Sequence, residues 1–208
     1  ASSLGGAVFN GRGENTIFGN CVFSGNYSSQ GGAIYNYDSN SNIVNCTFFG
    51  NLASQGKAVF NNVSKLTLSN SILWGGFGDG IVLYNKSSIP VIRNCDIEGS
   101  GGSSVWDTTF GIDDGGNIDA DPCFADPNGS DDDPGSWQDN NLRLLAESPC
   151  IDAGDNGSVQ KMLTQRCLMW IWALMSFCAV ISTTTGVLVL RISACLRKTG
   201  VKPAARFL

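Results

Sequence analysis

Two short motifs recur along residues 1–100 with a common spacing. The first is Gly5-Gly6-Ala7-Val8-Phe9-Asn10, and it returns from Gly31 and from Gly56 at offsets of 26 and 25 residues. The second is Asn20-Cys21-Val22-Phe23, and it returns from Asn45, Asn70 and Asn94 at offsets of 25, 25 and 24 residues. A shared period of this length is typical of repeat proteins in which each repeat forms one unit that stacks on the next.

The residues inside each repeat favour a β-solenoid. Apolar residues occur in short runs between Gly, Asn and Ser, whereas helical arrays need long stretches with a 3.6-residue period. Residues 1–60 contain only Leu4 and Leu52 as leucines, so a leucine-rich repeat does not fit. We therefore predict an all-β solenoid of about 25 residues per turn. Its short strands, such as Ala33–Tyr35 and Ile43–Phe48, are separated by corners rich in Gly and Asn, which tolerate positive φ.

Successive turns of a solenoid stack roughly 4.8 Å apart, so equivalent residues form columns. The motif does not fix which face each column occupies, but we expect two apolar columns and a cysteine column inside: Val8/Ile34/Val59, Val22/Thr47/Ile72 and Cys21/Cys46/Cys95. A fourth column is expected to bridge neighbouring turns through side-chain amides: Asn20/Asn45/Asn70/Asn94. The aromatic column Phe9/Tyr35/Phe60 is either core, which its large apolar area favours, or an outward strip that stacks on sugar rings.

The Gly-Gly-Ala-Ile and Phe-x-Gly-Asn pairing resembles right-handed parallel β-helix repeat proteins. These include chlamydial polymorphic outer-membrane proteins and large secreted proteins of planctomycete-type bacteria. The resemblance covers about residues 1–100 and implies a secreted or cell-surface bacterial protein, adhesin-like, with no particular activity. The chain begins at Ala1 without an export signal, so we expect a fragment that lacks some N-terminal turns.

Residues 105–158 form an acidic segment after the turns of residues 1–104. Its motifs, Asp121-Pro122-Cys123-Phe124-Ala125-Asp126-Pro127 and Ser148-Pro149-Cys150-Ile151-Asp152-Ala153-Gly154-Asp155, resemble the segment that closes many secreted bacterial β-helix proteins. The resemblance implies a final turn and a cap over the open end of the solenoid.

Twelve of the 15 aspartates lie between Asp107 and Asp155, which suggests two interpretations. Clustered carboxylates are typical ligands of Ca²⁺, and the candidates are Asp119, Asp121, Asp126, Asp131 and Asp133. The other interpretation is a solvated loop in which aspartates cap turns. The spacing matches neither an EF-hand loop nor the glycine-rich nonapeptide calcium repeat. Cys123 and Cys150 flank the acidic loop and are candidates for a disulfide in an oxidising compartment.

Catalysis has weak support in the sequence. The chain contains no His, which excludes Ser/His/Asp and Cys/His catalysis within these residues. Asp113-Asp114 resembles the double Asp of β-helix polygalacturonases, but the companion Gly-His-Gly and Arg-x-Lys motifs of that family are absent. A lyase would need a base beside calcium-binding acids, and Arg93 is the only candidate near the turns. No catalytic residue and no cofactor-binding residue is predicted.

The tail, residues 159–208, differs from the rest of the chain. Residues 1–160 hold all 18 acidic residues and six of the 13 Lys and Arg, a net charge of −12, whereas residues 161–208 carry seven basic residues and no acid. The uncharged run from Cys167 to Leu190 is long enough for a membrane-spanning helix. A one-nucleotide frameshift near Val159–Lys161 is the second interpretation, because the codons of Met169–Phe177, read one nucleotide earlier, permit Asp-Val-Asp-Met-Gly-Ala-Tyr-Glu-Phe, a typical ending of the resembling proteins.

These observations predict a non-enzymatic surface module that binds carbohydrate or a surface protein partner. The alternative is a fragment of a carbohydrate-active enzyme, either a polysaccharide lyase or a glycoside hydrolase. The acidic body excludes nucleic acid as a ligand, because phosphate contacts need clustered Lys and Arg. Membrane attachment is expected only if residues 167–190 are native sequence.

Overall fold

The computed structural model describes four stretches of the chain in full and two strands of the tail by their backbone. The stretches are residues 3–13, 15–75, 80–132 and 138–155, and the tail strands are Val180–Thr184 and Val187–Arg191. The statements below concern these residues.

Three strands recur in each of four turns. The first turn has β1 (Val8–Gly11), β2 (Asn15–Gly19) and β3 (Val22–Ser24). The second has β4 (Ile34–Tyr37), β5 (Asn40–Val44) and β6 (Thr47–Phe49). The third has β7 (Val59–Asn62), β8 (Lys65–Ser69) and β9 (Ile72–Trp74), and the fourth has β10 (Leu83–Lys86), β11 (Val91–Arg93) and β12 (Asp96–Ile97). After them come a 3₁₀-helix (Thr108–Phe110), β13 (Ile112–Asp113), β14 (Phe124–Asp126), β15 (Asn141–Leu144), β16 (Val180–Thr184) and β17 (Val187–Arg191).

Equivalent strands pair in parallel and form three sheets along the solenoid. Sheet 1 contains β1, β4, β7 and β10; sheet 2 contains β2, β5, β8, β11 and β13; sheet 3 contains β3, β6, β9 and β12. The register follows the sequence period, as the pairs Phe9 with Tyr35 and Tyr35 with Phe60 show. The predicted right-handed parallel β-helix of about four turns is confirmed.

The Gly-Gly pair that opens the first motif has a structural reason. Gly31 has a φ of 65°, a backbone conformation that residues with a side chain rarely adopt. A Cβ on Gly32 would clash with the carbonyl oxygen of Lys57 in the next turn. The two glycines therefore form the corner into sheet 1 and let adjacent turns approach closely.

The core consists of apolar columns, one from each sheet. Their members are Val8/Ile34/Val59/Leu83, Phe18/Ile43/Leu68/Ile92 and Phe23/Phe48/Leu73/Ile97. The predicted inward column Val8/Ile34/Val59 and the buried column Cys21/Cys46/Cys95 are both confirmed. Within the column of sheet 3, Phe23 and Phe48 stack with their ring centroids 4.7 Å apart.

The predicted inward column Val22/Thr47/Ile72 is wrong. Val22 is 47% exposed, and the residues next to this column in sequence, Phe23 and Phe48 among them, fill the interior instead. The reason is the corner before each strand of sheet 3. Asn20 and Asn45 adopt positive φ, so the following Cys points inward and the residue after it points outward. The same corner interrupts the predicted strand Ile43–Phe48 at Asn45.

A ladder of four asparagines runs along the inner face of sheet 1, and three of them, Asn10, Asn36 and Asn61, are buried. Asn10 donates to Asn36 (Nδ2 to Oδ1, 3.2 Å), Asn36 to Asn61 (2.8 Å) and Asn61 to Asn85 (2.9 Å). At its C-terminal end, the Asn85 amide donates to the carbonyl oxygen of Phe110 (3.0 Å). Each amide in the middle of the ladder therefore both donates and accepts, so its burial leaves no polar group unpaired.

The C-terminal end of the solenoid is covered by residues of the loop after β12. Phe110 is buried in the core cluster, and Trp106 packs against it while its Nε1 donates to the Gly111 carbonyl oxygen (2.9 Å). The later part of the predicted cap takes another course. Residues 119–132 and 138–155, including the antiparallel pair of β14 and β15, turn back and contact the side of earlier turns, for example through Phe124 against Phe49.

The two described segments of the tail are β-strands, whereas the sequence suggested a membrane-spanning helix. Val180–Thr184 and Val187–Arg191 pair antiparallel, and β16 pairs with the edge of β2. The helix interpretation is wrong for these residues, which are rich in β-branched Val, Ile and Thr. No described helix is long and apolar enough to cross a membrane. The remainder of 167–190 lies outside the described residues, and the frameshift stays a prediction about the coding DNA.

Candidate functional site

The side of the solenoid at sheet 3 carries the returning part of the acidic residues, described over 119–132 and 138–155 and called the acidic segment from here on. Near its start, Phe124 contacts Phe49 edge to face, with ring centroids 5.5 Å apart. Near its end, the main chain of Asp155 is bonded to Asn70 in the third turn. The segment and the solenoid enclose a cleft of about 190 Å³, lined by both polar and apolar side chains.

Asp96 lies at the centre of this contact. Its register with Ile72 places it in the outer column of sheet 3, where the acidic segment covers it to 3% exposure. The Ala120 amide donates to its Oδ1 (3.2 Å), and the Cys150 thiol donates to its Oδ2 (3.0 Å between S and O). One carboxylate on the solenoid therefore binds two separate points of the returning segment.

Asp96 and Cys150 affect each other's pKa. Burial, together with the charges of Asp119 and Asp121, raises the pKa of Asp96 to about 6, although the hydrogen bonds from Cys150 and Ala120 act in the opposite direction. Burial also raises the pKa of the Cys150 thiol to about 12, with a further contribution from Asp96. The thiol therefore keeps its proton at neutral pH and acts as the donor in this pair. It is not an activated nucleophile.

Two of the five calcium candidates, Asp119 and Asp121, accept hydrogen bonds from backbone amides. Asp119 accepts from the backbone amides of Gly99 (3.1 Å) and Gly101 (2.8 Å), one at each carboxylate oxygen. Asp121 accepts from the amide of Cys123 (2.9 Å). Asp126 and Asp131 are exposed.

Within the described stretches, no three His, Cys, Asp or Glu side chains come together as a metal site. Asp133 lies outside these stretches, and the calcium site stays a prediction.

The proposed disulfide partners are both free thiols in the structure. Cys150 donates to Asp96, and the Cys123 thiol donates to the carbonyl oxygen of Asp121 (3.4 Å). The Cys123 carbonyl also accepts from the Leu145 amide (2.9 Å), which fixes the start of the acidic segment against its later part. The disulfide stays a prediction.

Asp113, the first residue of the Asp113-Asp114 pair, accepts hydrogen bonds from the loop that surrounds it. Its Oδ1 accepts from the Gly115 amide (2.9 Å), the Ser103 hydroxyl (2.9 Å) and the Asn117 amide group (2.7 Å). Partial burial opposes ionisation, but these three hydrogen bonds hold its pKa below the ordinary value. Asp113 is therefore an ionised acceptor that orders the loop covering the solenoid end. Arg93, the candidate base, contacts Asp155 at 3.8 Å.

The asparagines at the corners between sheets 2 and 3 divide into two pairs, Asn20 with Asn45 and Asn70 with Asn94. All four have φ between 49° and 55°. Asn45 donates to Asn20 (3.3 Å), so the predicted bridge between turns is confirmed there. It is wrong for the other two, because Asn70 and Asn94 bind the main chain of the acidic segment instead.

The aromatic column lies on the outer face of sheet 1, because its members alternate with the inward Val8, Ile34 and Val59. With Tyr84 it forms a stack of four rings, with centroids 5.6, 4.9 and 4.9 Å apart. Stacking buries Tyr35 and Phe60, whereas Phe9 at the end is 54% exposed. The ring faces between neighbours are therefore closed to a ligand, so sugar stacking does not fit the whole column. The rings also lie outside the core cluster, so the core interpretation does not fit the whole column either.

The outer face of sheet 2 is a second exposed surface, with polar columns in register. One column joins Asn15, Asn40 and Lys65, and the next contains Asn42 and Thr67. Asn15, Asn40, Lys65 and Thr67 are exposed, and Asn40 donates to Asn15 (2.8 Å). Amide, hydroxyl and ammonium groups thus repeat from turn to turn along this face.

The fold and these two side surfaces define the class of protein: a parallel β-solenoid with exposed lateral faces. The chain belongs to the right-handed β-helix family, whose model, described as a right handed beta helix region, matches residues 1–118. No curated protein and no solved structure matches the chain.

Two features of the site were absent from the sequence predictions. Asp96 is the first, and its signal was a charged residue in a column otherwise occupied by Val22, Thr47 and Ile72. The contacts of Asn70 and Asn94 with residues 153–155 are the second. No spacing in the sequence signals them, because the partners lie 85 and 59 residues apart along the chain.

Proposed function

We propose that the chain is a non-enzymatic binding module of an extracellular or cell-surface protein, and that it binds extended carbohydrate along the outer face of sheet 2. The observation that carries the proposal is the repetition of exposed amide, hydroxyl and ammonium groups in register: Asn15, Asn40, Lys65 and Thr67. Such groups exchange hydrogen bonds with sugar hydroxyls. An extended glycan can use them repeatedly, because the turns repeat along one axis.

The positions of the aspartate side chains give less support to the alternative function, that of a carbohydrate-active enzyme. Glycoside hydrolysis needs two carboxyl groups that face each other across an open site. Asp96 has a raised pKa suited to an acid, but it is buried and holds Ala120 and Cys150. Asp113 accepts three hydrogen bonds, and Asp119 binds two backbone amides.

The test is binding of the full chain to an array of plant, fungal and bacterial polysaccharides, followed by calorimetry on the best glycan. Lys65→Ala combined with Asn40→Ala should weaken binding about tenfold or more, since each substitution removes a hydrogen-bonding group worth about 1 kcal/mol. Lys86→Ala in sheet 1 is the matched control and should bind like the wild type.

Two results would overturn the proposal. One is the absence of binding to every glycan, or binding that the double variant leaves unchanged. The other is depolymerisation of a bound glycan by the wild type, detected as new reducing ends, because it would favour the enzyme.

A further inference from the structure

The corner asparagines form a continuous row along the side of the solenoid between sheets 2 and 3. Asn20, Asn45, Asn70 and Asn94 each follow a strand of sheet 2, and those strands pair in register from turn to turn. All four share the same positive φ, so their carboxamides leave the solenoid from equivalent backbone positions.

The half of the row in the third and fourth turns binds the main chain of residues 153–155. Asn70 Nδ2 donates to the Asp155 carbonyl oxygen, and Asn70 Oδ1 accepts from the Asp155 amide, both at 2.9 Å. Asn94 Nδ2 donates to the Ala153 carbonyl oxygen (3.4 Å). Between them, Gly154 lies against Asn70, since a Cβ there would be 3.5 Å from the carboxamide carbon. The row therefore recognises main-chain groups, not particular side chains.

The half in the first and second turns has the same backbone conformation at its asparagines, but no such segment is bonded to them among the described residues. Asn45 donates to Asn20, and among the described residues no other segment bonds to either side chain. Beside them in sheet 3 lie exposed Val22 and half-exposed Thr47. This surface continues directly from the part of the row that the acidic segment occupies.

We propose that Asn20 and Asn45 bind the main chain of an extended basic peptide from a partner protein, as Asn70 binds Asp155. A carboxamide offers one acceptor and two donors, which complement the N–H and C=O of a single peptide unit. An apolar side chain of the peptide covers Val22. The basic character follows from the acidic segment at the next turns and from the net charge of −12 over residues 1–160.

The experiment uses the full chain and an array of fluorescein-labelled hexapeptides of the form Lys-x-Val-x-x-Lys, blocked at both ends and measured by fluorescence anisotropy. Basic members are expected to bind saturably. Asn45→Ala and Asn20→Ala should each weaken binding about tenfold, because each removes hydrogen bonds to the peptide backbone. N-methylation of the peptide backbone should abolish binding, and exchange of both Lys for Glu should weaken it.

Asn40→Ala is the matched control, because it removes an exposed asparagine of sheet 2 outside the row, and it should bind peptide like the wild type. Circular dichroism and thermal unfolding show that each variant is folded. The proposal is overturned if no basic hexapeptide binds saturably, or if Asn20→Ala and Asn45→Ala bind as tightly as Asn40→Ala. Because the glycan test depends on Asn40 and Lys65, either proposal can fail without the other.

Discussion

Asn70 holds the main chain of Asp155 through two hydrogen bonds of 2.9 Å, across 85 residues of sequence. The carboxamide donates to the Asp155 carbonyl and accepts from its amide, as a neighbouring strand would. This contact attaches the end of the acidic segment to the third turn of the solenoid. The segment is therefore fixed to the side of the β-helix as well as at its start.

Replacing Asn70 by Ala should release the end of the acidic segment while the solenoid stays folded. Both hydrogen bonds are lost, and amide exchange at Asp155 should become about tenfold faster or more, because each bond contributes about 1 kcal/mol. Hydrogen exchange with fragmentation mass spectrometry measures this. Asn45→Ala is the control and should leave exchange at Asp155 unchanged. Equal protection in Asn70→Ala and the wild type would show that other contacts hold this end.

The interior asparagine ladder should be far more sensitive than exposed asparagines. Asn61 is fully buried and bonds to Asn36 and Asn85, so Asn61→Ala removes the acceptor of the Asn36 amide group and the donor to the Asn85 side-chain oxygen. We expect a loss of about 2 kcal/mol in the free energy of unfolding. Asn40→Ala, which removes one exposed bond to Asn15, should change it by less than about 0.5 kcal/mol. Urea unfolding followed by circular dichroism compares them, and similar losses in both variants would contradict the ladder's role.

Asp96 should make stability depend on pH in the direction opposite to an ordinary ion-paired carboxylate. The pKa of Asp96 is about 6 in the fold, above the ordinary 3.8. The contribution of Asp96 to the free energy of unfolding is therefore fully present below pH 3.8, and it is lost as the pH rises through 6. Asp96→Asn, which stays neutral, should be more stable than the wild type at about pH 7.5, by on the order of 2 kcal/mol.

The advantage of Asp96→Asn should shrink toward about pH 4, where Asp96 is itself mostly neutral. Urea midpoints at several pH values measure the difference, with the exposed Asp152→Asn as control. A difference between Asp96→Asn and the wild type that stays constant with pH would refute the assignment.

Oxidation should link Cys123 to Cys150. Treatment with oxidised glutathione removes one hydrogen from each thiol and reduces the glutathione disulfide to two thiols. Peptide mapping should find the linked pair. The closed loop should raise the free energy of unfolding by up to about 3 kcal/mol. Part of that gain is offset because the Cys150 thiol no longer donates to Asp96. Cys123→Ser should show no such gain, and persistence of both thiols under these conditions would argue against the bridge.

The repeat spacing was enough to predict the architecture, because a 25-residue period in Gly, Asn and apolar residues permits few folds. The phase of each strand was harder to predict. Val22 and Phe23 are both apolar, and only the positive φ at Asn20 decides that Phe23 enters the core. The course of the acidic segment was beyond prediction, since contacts such as Asn94 with Ala153 leave no local pattern.

The most direct test of the stacked-turn architecture is the register of β5 and β8. Asn40 pairs with Lys65, and both are exposed, so the strand spacing of about 4.8 Å brings cysteines at these positions within disulfide reach. Asn40→Cys combined with Lys65→Cys should cross-link on mild oxidation, as peptide mapping by mass spectrometry would show. Asn40→Cys combined with Thr67→Cys, one step diagonal on the same face, should stay reduced. Cross-linking of the diagonal pair in preference to the direct pair would contradict the 25-residue turn.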